Sequence, residues 1–479
     1  MQKTEKNNKV FDFTRREFLG SCAACAAGVS TLSTFGSSAL GLSLSNISNN
    51  EKLKVRLVFA HPDPTKPNWP NIGYDFAGQI RDLTKKFKTQ CSDVDFFPIT
   101  VTSGSEEQGK KILKKDSEVD AYIVYLVGCL WGDMSEIIAT SGKPTIYVDN
   151  LYAGSGEFLT SFARAKRAGG KVIAVSSSQF SDVVQAVRCV DSLKKLQNST
   201  ILVVGGNPDK KIKPVYGTQV RKVDFSEINK AYKKADPNKI EKCADRWIKE
   251  AEKVIEPPRS EIEKAAGMYL AMFDIMQKYN ARAITVNCLG GIYSGKMVDA
   301  YPCMGFMQLN NDGYVGACEA DQRSTITMLL MTYLAGQSGF ISDPVIDTAK
   351  NQIIYAHCVA PTKAYGPDGP SNPYHIRDHS EDRRGASIRS LLPLGVMTTT
   401  LLFDHNKKQV IFHQGKSVEN VDEDKACRTK LAVEVKGDVY KLLNYWDQWG
   451  WHRVTFFGDF KRQVYNVASL LGFEVVEEA

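Results

Sequence analysis

The amino-acid sequence predicts an α/β fold, with two Rossmann-like, doubly wound α/β domains followed by a mainly β C-terminal domain. Beyond residue 50, short apolar runs alternate with amphipathic stretches, which is the pattern of parallel strands covered by helices. Past residue 350 the apolar runs follow one another with little helix between them, which favours an antiparallel domain or a barrel. A chain of 479 residues, 43% of them hydrophobic, is long enough for two or three domains.

These patterns allow the elements to be placed in chain order. The strands predicted for the two α/β domains are KVRLVFA, DAYIVYLVG, PTIYVDN, KVIAVS, TILVVGG and AITVNCLGG. The predicted helices lie near residues 73–89, 104–116, 155–168, 180–196 and 259–279, and the lysine-rich region 226–255 is also predicted to be helical. The strands predicted for the last domain are QIIYAHCVAP, GVMTTTLLFD, QVIFHQG, LAVEV and HRVTFFG. We therefore place the three domains at residues 52–170, 171–345 and 346–479.

The first 45 residues have the composition of an export signal and linker. Arg15 and Arg16, followed by Phe18 and Leu19, are similar to a twin-arginine motif, and a weakly apolar stretch rich in Ala, Ser and Gly comes next. The alternative is a chance Arg-Arg pair ahead of a flexible tail. We expect cleavage around Ala39 and a periplasmic protein, exported in the folded state.

Composition excludes several classes of function. The net charge of +7 is modest, and the lysines are interleaved with acids, which argues against a nucleic-acid-binding stripe. No run of about 18 apolar residues follows the first fifty, so no membrane span is expected in the mature chain. The cysteines beyond the predicted cleavage point show no CxxC spacing, so neither a disulfide framework nor a zinc knuckle is predicted.

The segments CEADQRSTITM, GFISDP and IIYAHC bring Glu319, Asp343 and His357 into one short window. Two carboxylates and an imidazole form a hard, mixed oxygen and nitrogen ligand set that suits Mn²⁺, Fe²⁺, Co²⁺ or Zn²⁺. Each residue stands near the end of an apolar run, where an unpaired charge would be costly. The alternative is that the acids cap helices and that His357 is a hydrogen-bonded core histidine.

The same segment, CEADQRSTITMLLMTYLAGQSGFISDP, resembles the domain junction of L-fucose isomerase and, more distantly, of L-arabinose isomerase. In that family the two acids bind a divalent metal, usually Mn²⁺, and act as the acid and base. The resemblance implies these roles for Glu319 and Asp343. It also implies metal binding by His357, in AHCVAP, and by His452, in WGWHRVTFFGDF. A homo-oligomer is implied as well.

A second polar cluster lies in the loop YGPDGPSNPYHIRDHSEDRRGASIRS. We predict that His375, Arg377 and His379 bind substrate, because arginine and histidine can hydrogen-bond sugar hydroxyls or an anionic substituent. An oligomer contact or an ordinary solvated loop is the alternative.

The sequence therefore predicts a metal-dependent aldose–ketose isomerase that acts on a small sugar through an ene-diol, with Glu319 and Asp343 as proton-transfer residues. Two alternatives stay open at this stage. One is an exported sugar-binding protein without catalysis, since paired α/β domains also occur in binding proteins. The other is a metal-dependent epimerase or hydrolase with the same ligands.

Overall fold

A parallel five-stranded sheet comes first in the computed structural model of the protein, which describes residues 51–479. Its strands are β1 (Leu53–Ala60), β2 (Val94–Val101), β3 (Ala121–Leu126), β4 (Thr145–Asp149) and β5 (Val172–Ser176). They lie in the order β2-β1-β3-β4-β5, and all neighbours pair in parallel. The helices of this region are α1 (Phe76–Gln90), α2 (Glu106–Lys115), α3 (Met134–Ala139), α4 (Ser155–Arg167) and α5 (Phe180–Gln197).

The sequence pattern identifies four strands of this sheet and misses one edge strand, β2. Every residue of β3 and β4 is buried, which produces the continuous apolar runs that predicted them. In β2 only Val94 and Val101 are buried, and Pro98 interrupts the run. Proline is tolerated on an edge strand, where one side of the ladder needs no partner. For that reason β2 lacks the signal of its neighbours.

A second parallel sheet, of four strands, follows in the order β10-β9-β6-β7. The strands from this part of the chain are β6 (Thr200–Val204), β7 (Gln219–Val223), β8 (Lys253–Val254), β9 (Ala283–Val286) and β10 (Val315–Cys318), of which β8 lies outside the sheet. The helices are α6 (Ile212–Tyr216), α7 (Phe225–Lys234), α8 (Pro237–Glu250), α9 (Arg259–Lys278), α10 (Cys288–Tyr293), α11 (Cys303–Asn311) and α12 (Gln322–Ala335). The predicted strand AITVNCLGG is too long, because its second half begins α10.

The C-terminal part of the chain forms an antiparallel barrel, as the change of pattern past residue 350 predicts. Six strands follow one another in the order β15-β18-β11-β12-β17-β16, and a β15–β16 pairing closes the ring. The elements of this part are β11 (Phe340–Asp347), β12 (Gln352–His357), β13 (Tyr374–Arg377), β14 (Ser387–Ser390), β15 (Met397–Asp404), β16 (Gln409–Asn420), β17 (Thr429–Val435), α13 (Val439–Tyr445), a 3₁₀ turn (Trp446–Trp449), β18 (Arg453–Phe457), α14 (Lys461–Leu471) and β19 (Glu474–Glu477).

These observations confirm a mixed α/β protein with parallel sheets and a C-terminal antiparallel barrel. The Rossmann-like character of the two parallel sheets and the limits of the three domains stay predictions. The barrel strand β11 spans the predicted limit at residue 345. The predicted export signal lies outside the described residues. Within residues 51–479, no helix combines the length and the apolar character needed to cross a bilayer.

A small third sheet, in the order β14-β13-β8, fixes the polar loop of the C-terminal region. Strand β13 pairs antiparallel with β14 and parallel with β8, so that His375 lies opposite Lys253. The predicted substrate-binding loop is therefore tied by backbone hydrogen bonds to the segment that follows α8.

A buried ionic network holds the last strands of the barrel together. Arg453, the first residue of β18, lies 3.0 Å from the carboxylate of Glu478, and both side chains are almost fully buried. His413, on β16, contacts the same carboxylate at 2.9 Å. Burial would raise the pKa of Glu478, but Arg453 and His413 outweigh burial and keep that pKa below its ordinary value. This network fixes the start of β18, immediately after His452.

Replacing Glu478 by glutamine should destabilise the protein by about 3–5 kcal/mol, because it leaves the Arg453 guanidinium buried without a counter-charge. The neighbouring Glu477 is a matched control, since it pairs with Lys461 at 2.6 Å in a half-exposed position. Glu477→Gln should cost less than about 1 kcal/mol. Urea unfolding followed by circular dichroism measures both values. Equal, small effects of the two variants would show that the network does not stabilise the barrel.

Candidate active site

Glu319 is positioned by a sharp turn at the carboxyl end of β10. Glu319 and Ala320 both have left-handed backbone conformations, with φ of 60° and 55°. Such values are uncommon outside glycine and occur preferentially at functional sites. The amide of Ala320 donates to the carbonyl of Val286 at the end of the adjacent strand β9. The turn therefore keeps the Glu319 side chain at the carboxyl edge of the second parallel sheet, where ligands of α/β proteins tend to bind.

The barrel register brings Asp343, His357 and His452 to one place. In the pairing of β11 with β12, Asp343 lies opposite Ala356, one residue before His357. In the pairing of β11 with β18, Ser342 lies opposite Arg453, so His452 is carried next to Asp343. His452, which is distant in the sequence, thus meets Asp343 and His357 across three adjacent antiparallel strands.

The four predicted metal-site residues form one group. Nε2 of His452 lies 3.2 Å from Oδ1 of Asp343 and 3.6 Å from Oε2 of Glu319. Nε2 of His357 lies 3.9 Å from Oε1 of Glu319. Both imidazoles are 4% exposed, whereas the Glu319 side chain is 39% exposed. Whether these residues bind a metal stays a prediction, but the structure places them together.

Asp321 belongs to the same group and was not singled out from the sequence. Its carboxylate caps α12 by accepting from the amides of Arg323 and Ser324. It also contacts Nδ1 of His452, at 3.0 Å. The helix cap that sequence reasoning offered as the alternative role of Glu319 is therefore provided by Asp321. The sequence does carry a signal for Asp321 as a helix cap: it is an acid immediately before an apolar helix, three residues ahead of a serine.

The charges within the group are strongly coupled. Burial would lower the pKa of His452, but the hydrogen bond to Asp321 and the proximity of Asp343 outweigh burial and raise that pKa to about 10. Burial opposes ionisation of Asp321 and Asp343, yet contact with His452 keeps the pKa of both carboxyl groups below its ordinary value. Burial raises the pKa of Glu319 and lowers that of His357 to about 4.

The group has the chemistry of a cation site. In the described part of the chain, three of its buried polar atoms make no hydrogen bond of good geometry: Nε2 of His357, and the pair Oδ1 of Asp343 and Nε2 of His452, which are close but poorly aligned. Ligand atoms of Asp343, His357 and His452 lie within 4.8 Å of one another. Carboxylates and an imidazole are donors that suit divalent cations such as Mn²⁺. A divalent cation would compensate both the unpartnered atoms and the excess of carboxylates.

The predicted substrate-binding residues have contacts of their own. Nε of Arg377 donates to both carboxylate oxygens of Glu256, each at 2.7 Å, and Nη2 reaches Asp424. His375 faces Glu252 at 3.4 Å. These two side chains are engaged by acids outside the four-residue group, so any substrate would have to compete with those acids.

His379 is placed differently. It is buried beside the ring of Tyr301, at 5.2 Å between ring centres, and its Nδ1 lies 3.5 Å from Asp382. A positive charge on His379 would add to the causes that lower the pKa of His357, after burial and His452. Among the three predicted substrate-binding residues, His379 is therefore the one with an electrostatic link to the candidate site.

Trp451 was also missed. Its side chain is 67% exposed, and it is within hydrogen-bonding reach of Asp343. The position directly before His452 is the only sequence signal that points to it.

Replacing Asp321 by asparagine should lower the affinity for Mn²⁺ by about 10- to 100-fold, because the charge that orients His452 is lost. Helix α12 should keep its cap, since asparagine caps as well as aspartate. Equilibrium dialysis measures the affinity and thermal unfolding checks the cap. The control is Asp438→Asn, because Asp438 caps α13 through the amide of Tyr440. Wild-type affinity in Asp321→Asn would contradict the orienting role of Asp321.

Comparison with known proteins points to sugar isomerisation. No family model matches the sequence. The chain is 23% identical over 312 residues to proteins named sulfoquinovose isomerase from Priestia aryabhattai and from Priestia megaterium, and the match covers 61% of this chain and 67% of each relative. A protein of the same name from Clostridium sp. (strain MSTE9) is 22% identical over 307 residues, covering 60% of this chain and 66% of that relative. The matches thus span about two thirds of the relatives' length.

Proposed function

We propose that this chain is a metal-dependent aldose–ketose isomerase that works through an ene-diol intermediate. The observation that carries the proposal is the convergence of Glu319, Asp343 and His452 from one parallel sheet and two barrel strands, with buried ligand atoms that lack hydrogen-bond partners. Similarity to proteins named sulfoquinovose isomerase supports the same class of reaction.

The two carboxylates supply the proton transfer. Isomerisation requires a base that removes the proton next to the carbonyl and a group that returns it to the neighbouring carbon. The carboxylates of Glu319 and Asp343 lie 3.6 Å and 3.2 Å from Nε2 of His452. A sugar bound beside Glu319, the exposed member of the pair, would have both carboxylates near its first two carbons.

The metal would be held by Glu319 and Asp343 together with one or both of His357 and His452, and Mn²⁺ is the ion that the donor set and the resemblance to L-fucose isomerase favour. Such an ion would polarise the substrate carbonyl and stabilise the negative charge that develops on its oxygen. Asp321 supports this arrangement by fixing the orientation of His452.

The substrate is a small sugar, and the names of the relatives make a sulfonated sugar one candidate. L-fucose, D-arabinose and L-arabinose are the others, from the resemblance. The arginines of the loop are engaged by acids, as Arg377 is by Glu256 and Arg384 by Asp299. A sulfonate would therefore have to displace an existing ion pair, whereas a neutral sugar would not. Periplasmic location and assembly into a homo-oligomer complete the proposal.

Replacing Glu319 by glutamine should lower turnover by about 10²-fold or more and should weaken Mn²⁺ binding. The reason is that a metal ligand and a proton-transfer group are lost together. The exposed Glu474, on β19, provides the control variant Glu474→Gln, which should behave as wild type. Turnover is measured as ketose formation, and Mn²⁺ affinity is measured by equilibrium dialysis. If neither the wild-type protein nor either variant shows turnover, and Glu319→Gln retains sugar affinity, the protein is a sugar-binding protein.

Removal of divalent metal with a chelator should eliminate isomerisation, and added Mn²⁺ should restore it. The assay offers sulfoquinovose, L-fucose, D-arabinose and L-arabinose in deuterated water. An ene-diol mechanism should place deuterium at one carbon of the product, because the proton passes through an exchangeable carboxyl group. Products analysed by NMR decide the reaction class: an epimer or a hydrolysis product in place of the ketose would overturn the isomerase proposal.

A further inference from the structure

The two histidines of the candidate site differ in what their Nδ1 atoms face. Nδ1 of His452 lies 3.0 Å from Oδ2 of Asp321. An ionised carboxylate has no proton to donate, so Nδ1 must be the donor of this hydrogen bond. Nδ1 of His357 lies 2.8 Å from the backbone nitrogen of Cys358, which can only donate. Nδ1 therefore carries a proton in His452 and a lone pair in His357.

In His452 the contact with Asp321 fixes the proton on Nδ1. Its Nε2 lies between Asp343 and Glu319, where a bound cation would take the place of the second ring proton that these carboxylates favour. A carboxylate at Nδ1, with Nε2 facing the other ligand atoms, is the arrangement that metal-binding histidines use. His452 is thus prepared to be a ligand.

In His357 it is Nδ1 that has the lone pair and Nε2 that carries the proton. Because Nδ1 accepts the amide hydrogen of Cys358, the single proton of the neutral ring resides on Nε2. Binding a metal through Nε2 would require that proton to move to Nδ1, where it would face the amide hydrogen. The hydrogen bond would be lost, and a buried N–H group would lose its partner. His357 is close enough to the other residues to be a metal ligand, but its hydrogen bond with the Cys358 amide opposes metal binding.

We infer that His357 is not a metal ligand and instead donates a hydrogen bond from Nε2 to an oxygen of the bound sugar, beside a metal held by Glu319, Asp343 and His452. This inference rests on the proposed isomerase function. Nε2 of His357 is buried, has no partner among the described residues, and lies 3.9 Å from Oε1 of Glu319. A fixed donor next to the proton-transfer carboxylate would stabilise the oxygen on which negative charge develops.

The direct test counts imidazole nitrogens bound to Mn²⁺ in the full-length protein by pulsed electron paramagnetic resonance. The expected result is one coordinated nitrogen, which persists in His357→Gln and disappears in His452→Gln. Two coordinated nitrogens, one of them lost in His357→Gln, would overturn the inference. That result would leave the proposed function intact.

Equilibrium dialysis and kinetics supply the matched readouts. His357→Gln should bind Mn²⁺ within about threefold of wild type, whereas His452→Gln should lose about 10- to 100-fold or more. Turnover should fall by about 10²-fold in His357→Leu, which has no donor, and less in His357→Gln, whose amide can donate. Circular dichroism verifies that each variant is folded. Equal loss of turnover in both His357 variants, with weakened Mn²⁺ binding, would contradict the donor role.

Failure of the proposed function has a different signature. If wild-type protein binds no Mn²⁺ and isomerises no sugar with any added divalent metal, the isomerase proposal falls, and the inference about His357 falls with it.

Discussion

The pairing of β11 with β12 on one side and with β18 on the other is the constraint on which the candidate site depends. This register sets Asp343 beside His452 and near the end of β12, where His357 lies. A slip of one residue in either pairing would turn every side chain of the shifted strand to the opposite face. The closed barrel and the Arg453–Glu478 pair at the start of β18 resist such a slip. The geometry of the site is therefore a property of the barrel as a whole.

The second parallel sheet completes the group from outside the barrel. It contributes Glu319 through two consecutive left-handed residues and Asp321 through the cap of α12. Asp321 serves both the helix and His452, so the start of α12 is coupled to the orientation of an imidazole on another element. Three carboxylates and two imidazoles in a mostly buried setting would be unfavourable without a partner. A divalent cation would resolve that imbalance, which supports the proposal of a metal site.

Much of this arrangement is predictable from the sequence, because it depends on local signals. The buried central strands have continuous apolar runs, the helices have amphipathic periodicity, and Glu319, Asp343 and His452 are of residue types that bind metals. Other features depend on tertiary contacts. The engagement of Arg377 by Glu256 joins segments 121 residues apart, and the contact of Asp321 with His452 joins segments 131 residues apart. The proton position on His357 depends on one backbone amide, which no pattern of residue types reveals.

The most direct test of the central claim is anomalous X-ray diffraction at the manganese edge from crystals of the protein grown with Mn²⁺. The account predicts one strong peak within coordination distance of Glu319, Asp343 and His452, at about 2.0–2.3 Å from their oxygen and nitrogen atoms. A peak elsewhere, or no peak at saturating Mn²⁺, would contradict it.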